Sequence, residues 1–191
     1  MLREGAVLIG SAILIAFLIK TFVAQAFFIP SGSMIPQLAV GDRVVVSKLA
    51  YRLHDPNRGD IVVFDNPTQA DPEKEPPLPE RVLRGILESI GLSTPSTEEY
   101  IKRVIGLPGE EVEGRDGRVY VDGRELVEPY LAQGPTTRDF APIVLGEHQL
   151  WVMGDNRENS SDSRAFGPID ESTIVGRAFV KLWPVPDWSF L

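Results

Sequence analysis

Gly5 to Ile19 carries no charge, Lys20 interrupts the run, and Thr21 to Ile29 is again mostly apolar. As one helix, Gly5 to Ile29 would extend roughly 37 Å at 1.5 Å per residue. That length crosses a hydrocarbon core of about 30 Å with some tilt. Lys20 is tolerable if its stem snorkels to an interface or a polar groove. Ala24-Gln25-Ala26 also fits the cleavage site of a removable leader. Against cleavage, the apolar stretch is longer than a usual leader core, and Phe27-Phe28-Ile29 continues it past the cut. The reading is therefore an uncleaved anchor over residues 1–29 and a globular part over 30–191. Charge does not orient the anchor, because Glu4 offsets Arg3 and the far side carries Arg43 and Lys48.

Beyond Pro36 the period changes to that of strands. Arg43-Val44-Val45-Val46 and Ile61-Val62-Val63-Phe64 are β-branched runs bounded by Gly41-Asp42 and Gly59-Asp60. Tyr100 to Ile105, Leu150 to Met153 and Ala178 to Leu182 are further runs of this kind. Between Glu110 and Val127, Asp116-Gly117 and Asp122-Gly123 separate valine-rich pieces, a pattern of successive hairpins. The expected fold class is mainly β, a coiled antiparallel, barrel-like domain behind one N-terminal transmembrane helix. An insertion over 66–92 differs: a Pro- and acid-rich loop leads into a short amphipathic helix with Val82, Leu83, Ile86, Leu87 and Ile90 on one face.

Composition narrows the chemistry. A formal charge of -8 over 191 residues argues against a nucleic-acid partner, since phosphate rewards clustered Lys and Arg. With no cysteine there is no disulfide framework, thiol nucleophile or Cys-based metal site. The two histidines, His54 and His148, lack a second His at ligand spacing, so no metal or other cofactor is expected.

Three polar groupings remain as candidate chemistry. In Pro30-Ser31-Gly32-Ser33 the two serines alternate about a glycine and share one side of an extended chain. Alone, the stretch reads as a turn. A nucleophilic serine needs a base and an oxyanion site. His54 and His148 read as surface or satisfied histidines, and there is no Gly-x-Ser-x-Gly elbow. A lysine can serve instead, because desolvation lowers its pKa. Of the five lysines, Lys102 sits in the apolar run YIKRVIG. Alternation places Tyr100, Lys102 and Val104 on one face and Ile101, Arg103 and Ile105 on the other, and does not choose which is buried. The third grouping, Gly154 to Arg164, is GDNRENSSDSR. It can be a solvated turn or a polar network braced by Asp162 and Arg164. It lacks the glycine and late glutamate of a hand-type calcium loop.

In order along the chain stand Pro30-Ser31-Gly32-Ser33-Met34 with Pro36, then Arg58-Gly59-Asp60-Ile61-Val62-Val63-Phe64, then Tyr100-Ile101-Lys102-Arg103-Val104-Ile105-Gly106 with Pro108-Gly109, then Gly154-Asp155-Asn156 with Ser160, Asp162, Ser163 and Arg164. Together they resemble bacterial type I signal peptidases, membrane-anchored Ser-Lys serine proteases that cut leader peptides from exported proteins. Position by position, the resemblance implies Ser33 as nucleophile and Lys102 as general base. It implies Ser160 as the residue that orients Lys102, Ser31 with the Ser33 N–H as oxyanion site, and Asp162 with Arg164 as support. Ile29, Pro30, Tyr100 and Ile101 correspond to small apolar pockets for Ala-like residues before the cut. The implied partners are preprotein substrates and membrane lipid. The implied setting is a monomer in the plasma membrane, single-pass, with its β domain outside the cytoplasm. Gln37 departs from the threonine often found there, and the short stretch from Gly109 to His148 leaves out the large accessory domain of some members. Two other readings stand beside this one. The self-cleaving repressors share the dyad but need a DNA-binding helical module, and an anchored binding module without catalysis would have no use for Ser33, Lys102 and Ser160 together.

Overall fold

Valine-rich runs with turn residues at their ends become strands here, and the Asp-Gly pairs become the tightest turns. The computed structural model describes residues 5, 8, 11, 15, 23–67, 99–131 and 136–191. The strands are β1 (Ala24–Phe28), β2 (Arg43–Ser47), β3 (Ile61–Asp65), β4 (Glu99–Gly106), β5 (Glu111–Arg115), β6 (Arg118–Val121), β7 (Arg124–Glu125), β8 (Phe140–Val144), β9 (Gln149–Met153), β10 (Ile169–Asp170), β11 (Ile174–Trp183) and β12 (Ser189–Phe190). Asp116-Gly117 joins β5 to β6 and Asp122-Gly123 joins β6 to β7, all four residues at positive φ. A two-residue loop of this type matches the twist of its strands and demands that backbone.

All strand pairs are antiparallel. The larger sheet runs β1-β2-β11-β3-β4-β9-β10, with β12 added beside β11, and the smaller runs β7-β6-β5-β8. Neither sheet closes on itself, so the barrel-like expectation is corrected to two open sheets. Three apolar clusters fill the interior. One gathers Ile29, Met34, Leu38, Val44, Val46, Ile61, Val63 and Ile101. A second joins Val62, Phe64, Val104, Leu150 and Val152. The third, with Ile105, Val112, Val119, Trp151 and Met153, packs the small sheet against the large one. Strand β4 touches all three clusters, which is why its apolar positions run on without alternating.

The reading of Gly5 to Ile29 as one helix is corrected at its far end. Ala24–Phe28 is a strand, paired over its whole length with Arg43–Ser47. The chain then turns in, Ile29 N–H donating to Asp42 O at 2.9 Å and Gly41 N–H to Ile29 O at 3.0 Å. A short apolar run has no period that separates helix from strand, and the edge offered by β2 decides the matter. Farther back, Gly5, Leu8, Ser11 and Ile15 are helical, with Leu8 and Ile15 exposed. No helix among the described residues is long and apolar enough to cross a membrane. The amphipathic helix expected at 82–90, with most of the 66–92 insertion, lies outside the described residues.

Candidate active site

Ser33 and Lys102 meet although 69 positions separate them: Lys102 Nζ lies 3.0 Å from Ser33 Oγ. Ser33 sits in the turn that leaves β1, pinned from below by the buried side chains of Ile29 and Met34. Lys102 is in the middle of β4, opposite Val62 of β3. Both side chains are inside the protein, Lys102 only 3% exposed and Ser33 7%. The Lys102 ammonium also donates to Ile101 O at 2.8 Å and lies 5.3 Å from the centre of the Tyr100 ring. Burial lowers its pKa from 10.5 to about 8, and the charges of Asp162 and Asp155 offset only part of that fall.

Arg103 resolves the ambiguity that alternation leaves. It is buried as well, but its guanidinium makes a two-pronged ion pair with Asp155, Nε to Oδ1 at 2.8 Å and Nη2 to Oδ2 at 2.6 Å. Its remaining arm donates to Gly59 O at 2.8 Å. Its plane stacks 4.0 Å from the centre of the Tyr130 ring. Arginine is not deprotonated in proteins, whereas Lys102 has no carboxylate in hydrogen-bond contact among the described residues. Of the two adjacent buried bases, only Lys102 is held by neutral acceptors alone, and burial weakens its hold on a proton. Replacing Asp155 by Ala should destabilise the fold by about 3–5 kcal/mol, the usual cost of leaving one member of a buried pair unpaired, read from urea unfolding midpoints.

The polar stretch Gly154 to Arg164 is a braced network, neither a solvated turn nor a cation loop. Among the described residues no group of three acids or histidines could hold a metal ion. Asp162 is fully buried and accepts from Arg164 Nε at 2.8 Å, Arg164 Nη2 at 2.7 Å and Gly154 N–H at 3.0 Å. Burial alone would raise its carboxyl, but the Arg164 guanidinium and the Gly154 N–H hold it below its ordinary value. Asp162 also caps the short helix Ser163–Phe166. Ser163 Oγ accepts from Val152 N–H at 2.9 Å, tying that helix to β9. Gly154 is wedged between the two halves of the site. A Cβ there would stand 2.3 Å from Ser160 Oγ and 2.5 Å from Ser33 O. Ser160 Oγ is buried beside Asp162, whose carboxyl it helps to hold below its ordinary value, and it makes no hydrogen bond to Lys102 among the described residues. Ser31 Oγ donates to Ser33 Oγ at a long 3.5 Å.

A cleft of about 840 Å³ opens over the pair. Ile29, Pro30, Tyr100 and Ile101, the four residues expected to form pockets, line it together with Ser31, Ser33 and Lys102. Its walls are two backbone edges. Among the described residues strand β1 pairs only with β2, and β9 joins β4 only from Arg103 onward. Phe27, Phe28, Val63, Asn159 and Ser161 also line the cleft; they lie within the runs quoted above but were not named there as site residues, and they reach the site through the fold. His54 is exposed, and the largely exposed His148 pairs with Glu171 at 3.5 Å, so neither imidazole reaches the serine.

The chain matches the family described as signal peptidase, peptidase S26, over residues 2–183. A probable signal peptidase I-2 from Synechocystis sp. is 43% identical over 92% of this chain and 71% of its own length. Signal peptidase I of Leptolyngbya laminosa is 42% identical over 96% of this chain and 81% of its own. The crystal structure of a signal peptidase I from Enterococcus faecalis V583 is 29% identical, covering 65% of this chain and 97% of that one, with a TM-score of 0.47. The chain belongs to the signal peptidase, peptidase S26 family and is a serine endopeptidase.

Proposed function

We propose that this protein is a membrane-anchored signal peptidase that removes leader peptides from exported preproteins after Ala-x-Ala-like sites, through a Ser33–Lys102 dyad. The carrying observation is the buried 3.0 Å contact between Lys102 Nζ and Ser33 Oγ. With its pKa lowered to about 8, Lys102 is a neutral amine in an appreciable fraction of molecules near neutral pH. Neutral Lys102 takes the Ser33 proton as Ser33 Oγ attacks the scissile carbonyl. The carbonyl oxygen gains the charge and is met by the Ser33 N–H and Ser31 Oγ. Collapse expels the leaving amine, which takes a proton from Lys102, and leaves an acyl-enzyme on Ser33. Water activated by Lys102 then hydrolyses that ester and frees Ser33. Ser160 Oγ, buried beside Asp162, keeps acceptor capacity for Lys102 once substrate tightens the site. Asp162 and Arg164 hold the loop behind it.

Two strand edges that line one cleft, β1 and β4, favour an extended substrate, bound as an added strand by main-chain hydrogen bonds. Ile29, Pro30, Tyr100 and Ile101 give that strand small apolar pockets. The helical residues before β1, with Leu8 and Ile15 exposed, support an apolar anchor, and the family membership supports its place in the plasma membrane with the β domain on the extracytoplasmic side. The substrate's own apolar segment would then lie in the same bilayer. The purified protein should process a preprotein with an Ala-x-Ala site, and Ser33→Ala should leave none of that processing; full processing by Ser33→Ala would remove the assignment. Ser31→Ala should be milder in kind. Losing one oxyanion donor costs about 3–4 kcal/mol of transition-state stabilisation, so kcat should fall by roughly two to three orders of magnitude while cleavage stays measurable in an overnight assay.

A further inference from the structure

Asn156 belongs to the Gly154-Asp155-Asn156 motif, yet the chemistry above gives it nothing to do. Its carbonyl accepts from Asn159 N–H at 3.1 Å within its own loop, and both of its donors reach the backbone around Ser33. The Asn156 N–H donates to Ser33 O at 3.0 Å. Its side-chain Nδ2 donates to Gly32 O at 3.1 Å, across 124 positions of sequence. The carbonyls on either side of Ser33 are therefore gripped by one residue.

The grip on Gly32 O has a geometric consequence. Gly32 C=O and Ser33 N–H belong to the same peptide unit, which is planar and trans, so the two bonds point in opposite directions. Fixing the carbonyl fixes the line along which the N–H points. The Ser33 N–H makes no backbone hydrogen bond among the described residues, and it is the donor assigned above to the oxyanion. A hydrogen bond to the carbonyl also polarises the peptide and strengthens its N–H as a donor. Ile35 N–H donates to Gly32 O as well, but at 3.3 Å and from within the same turn. Only Asn156 ties the peptide to the opposite side of the site.

Asn156 is itself held on both flanks. Asp155 is locked by the two-pronged pair with Arg103. Arg157 is buried, its Nε donating to Gly154 O at 3.0 Å and its Nη1 to Thr137 Oγ1 at 2.8 Å and Glu128 Oε2 at 3.0 Å. A short amide side chain between two clamped neighbours is a stiff arm. We propose that Asn156 is a positioning residue of the oxyanion site, which aims the Ser33 N–H at the developing oxyanion by holding Gly32 O. This rests on the reading of Ser33 as nucleophile.

The test uses Asn156→Ala and Asn156→Asp in the full chain. Aspartate keeps the shape and lacks the donor, so it reads the hydrogen bond even if the alanine variant does not fold. Kinetics on an Ala-x-Ala peptide are combined with inhibition by the matching peptide aldehyde, whose hemiacetal oxygen occupies the oxyanion site, and by the unreactive product peptide. In both variants kcat should fall about ten- to hundredfold, somewhat less than for outright loss of an oxyanion donor. KM and product-peptide affinity should stay within about twofold, aldehyde affinity should weaken in step with kcat, and the acid limb of the pH profile, read on Asn156→Ala because the aspartate adds a charge beside Lys102, should not move. A loss confined to KM, a shifted acid limb, undiminished aldehyde binding or a kcat within twofold of the parent would each overturn the proposal. So would unfolding of both variants by circular dichroism, which would assign Asn156 to the fold alone. If the aldehyde fails to inhibit the parent protein, the dyad reading itself is at fault; if it inhibits parent and variants equally, only the role of Asn156 is.

Discussion

Lys102→Met should abolish cleavage and make the protein more stable. The loss of activity follows from removing the base, which is worth about 10²–10⁴ in rate where proton transfer is concerted with attack. No other amine or imidazole hydrogen-bonds Ser33 among the described residues. The gain in stability follows from the lowered pKa. At pH 7 Lys102 carries its proton in the folded and the unfolded chain, but the folded site, with a pKa of about 8 against 10.5, holds it less tightly. That difference costs about 3 kcal/mol of folding free energy below pH 8. The cost is relieved as pH rises from about 8 toward 10.5, because the unfolded chain then binds more protons than the folded one. Methionine matches the lysine stem in volume and removes the buried charge, while Ile101 O loses a donor worth about 1 kcal/mol. The variant should therefore be more stable by about 2 kcal/mol at pH 7, with the gain shrinking as pH rises through that window. Urea midpoints at pH 7 and pH 10 measure it, and a destabilised variant would show that Lys102 is held charged by groups that compensate its burial.

Gly154→Ala should cripple cleavage through one added methyl group. The added Cβ would lie 2.3 Å from Ser160 Oγ and 2.5 Å from Ser33 O. One contact is to backbone, so a rotamer change at Ser160 alone does not clear the space. The loop carrying Asn156 and Ser160 has to part from the turn carrying Ser33, and a misplacement of about 1 Å can cost about 10²-fold in rate. We expect kcat/KM to drop about a hundredfold or more, with about 1–3 kcal/mol lost from stability through overpacking. A variant within threefold of the parent in kcat/KM would mean that the two halves of the site need not touch.

How much of this could be read in the sequence depended on whether a feature was local. The Asp-Gly pairs at 116–117 and 122–123 specify their turns by themselves, so the hairpins of the small sheet were legible. Strand β1 was not, because Thr21 to Ile29 is apolar without a diagnostic period and its conformation is set by Val44–Val46 some twenty positions on. Strand β8 was missed for another reason: its run Phe140–Val144 contains Pro142, and it pairs only with β5 at the edge of its sheet, where proline is tolerated. The candidate site was legible as a set of four ordered motifs. Its internal logic was not. Alternation could not separate Lys102 from Arg103, since the clusters cover both faces of β4, and the separation is made by Asp155, 52 positions after Arg103. The grip of Asn156 on Gly32 and the wedge at Gly154 are likewise properties of closeness in space.

The dependence of kcat/KM on pH probes the dyad most directly, because it reports the ionisation of the free enzyme's essential base. Cleavage of an Ala-x-Ala peptide should rise through a single ionisation with an apparent pKa of about 8, the value to which burial lowers Lys102, and level off above it. A profile flat from roughly pH 6 to 9 would contradict a neutral Lys102 as the base for Ser33.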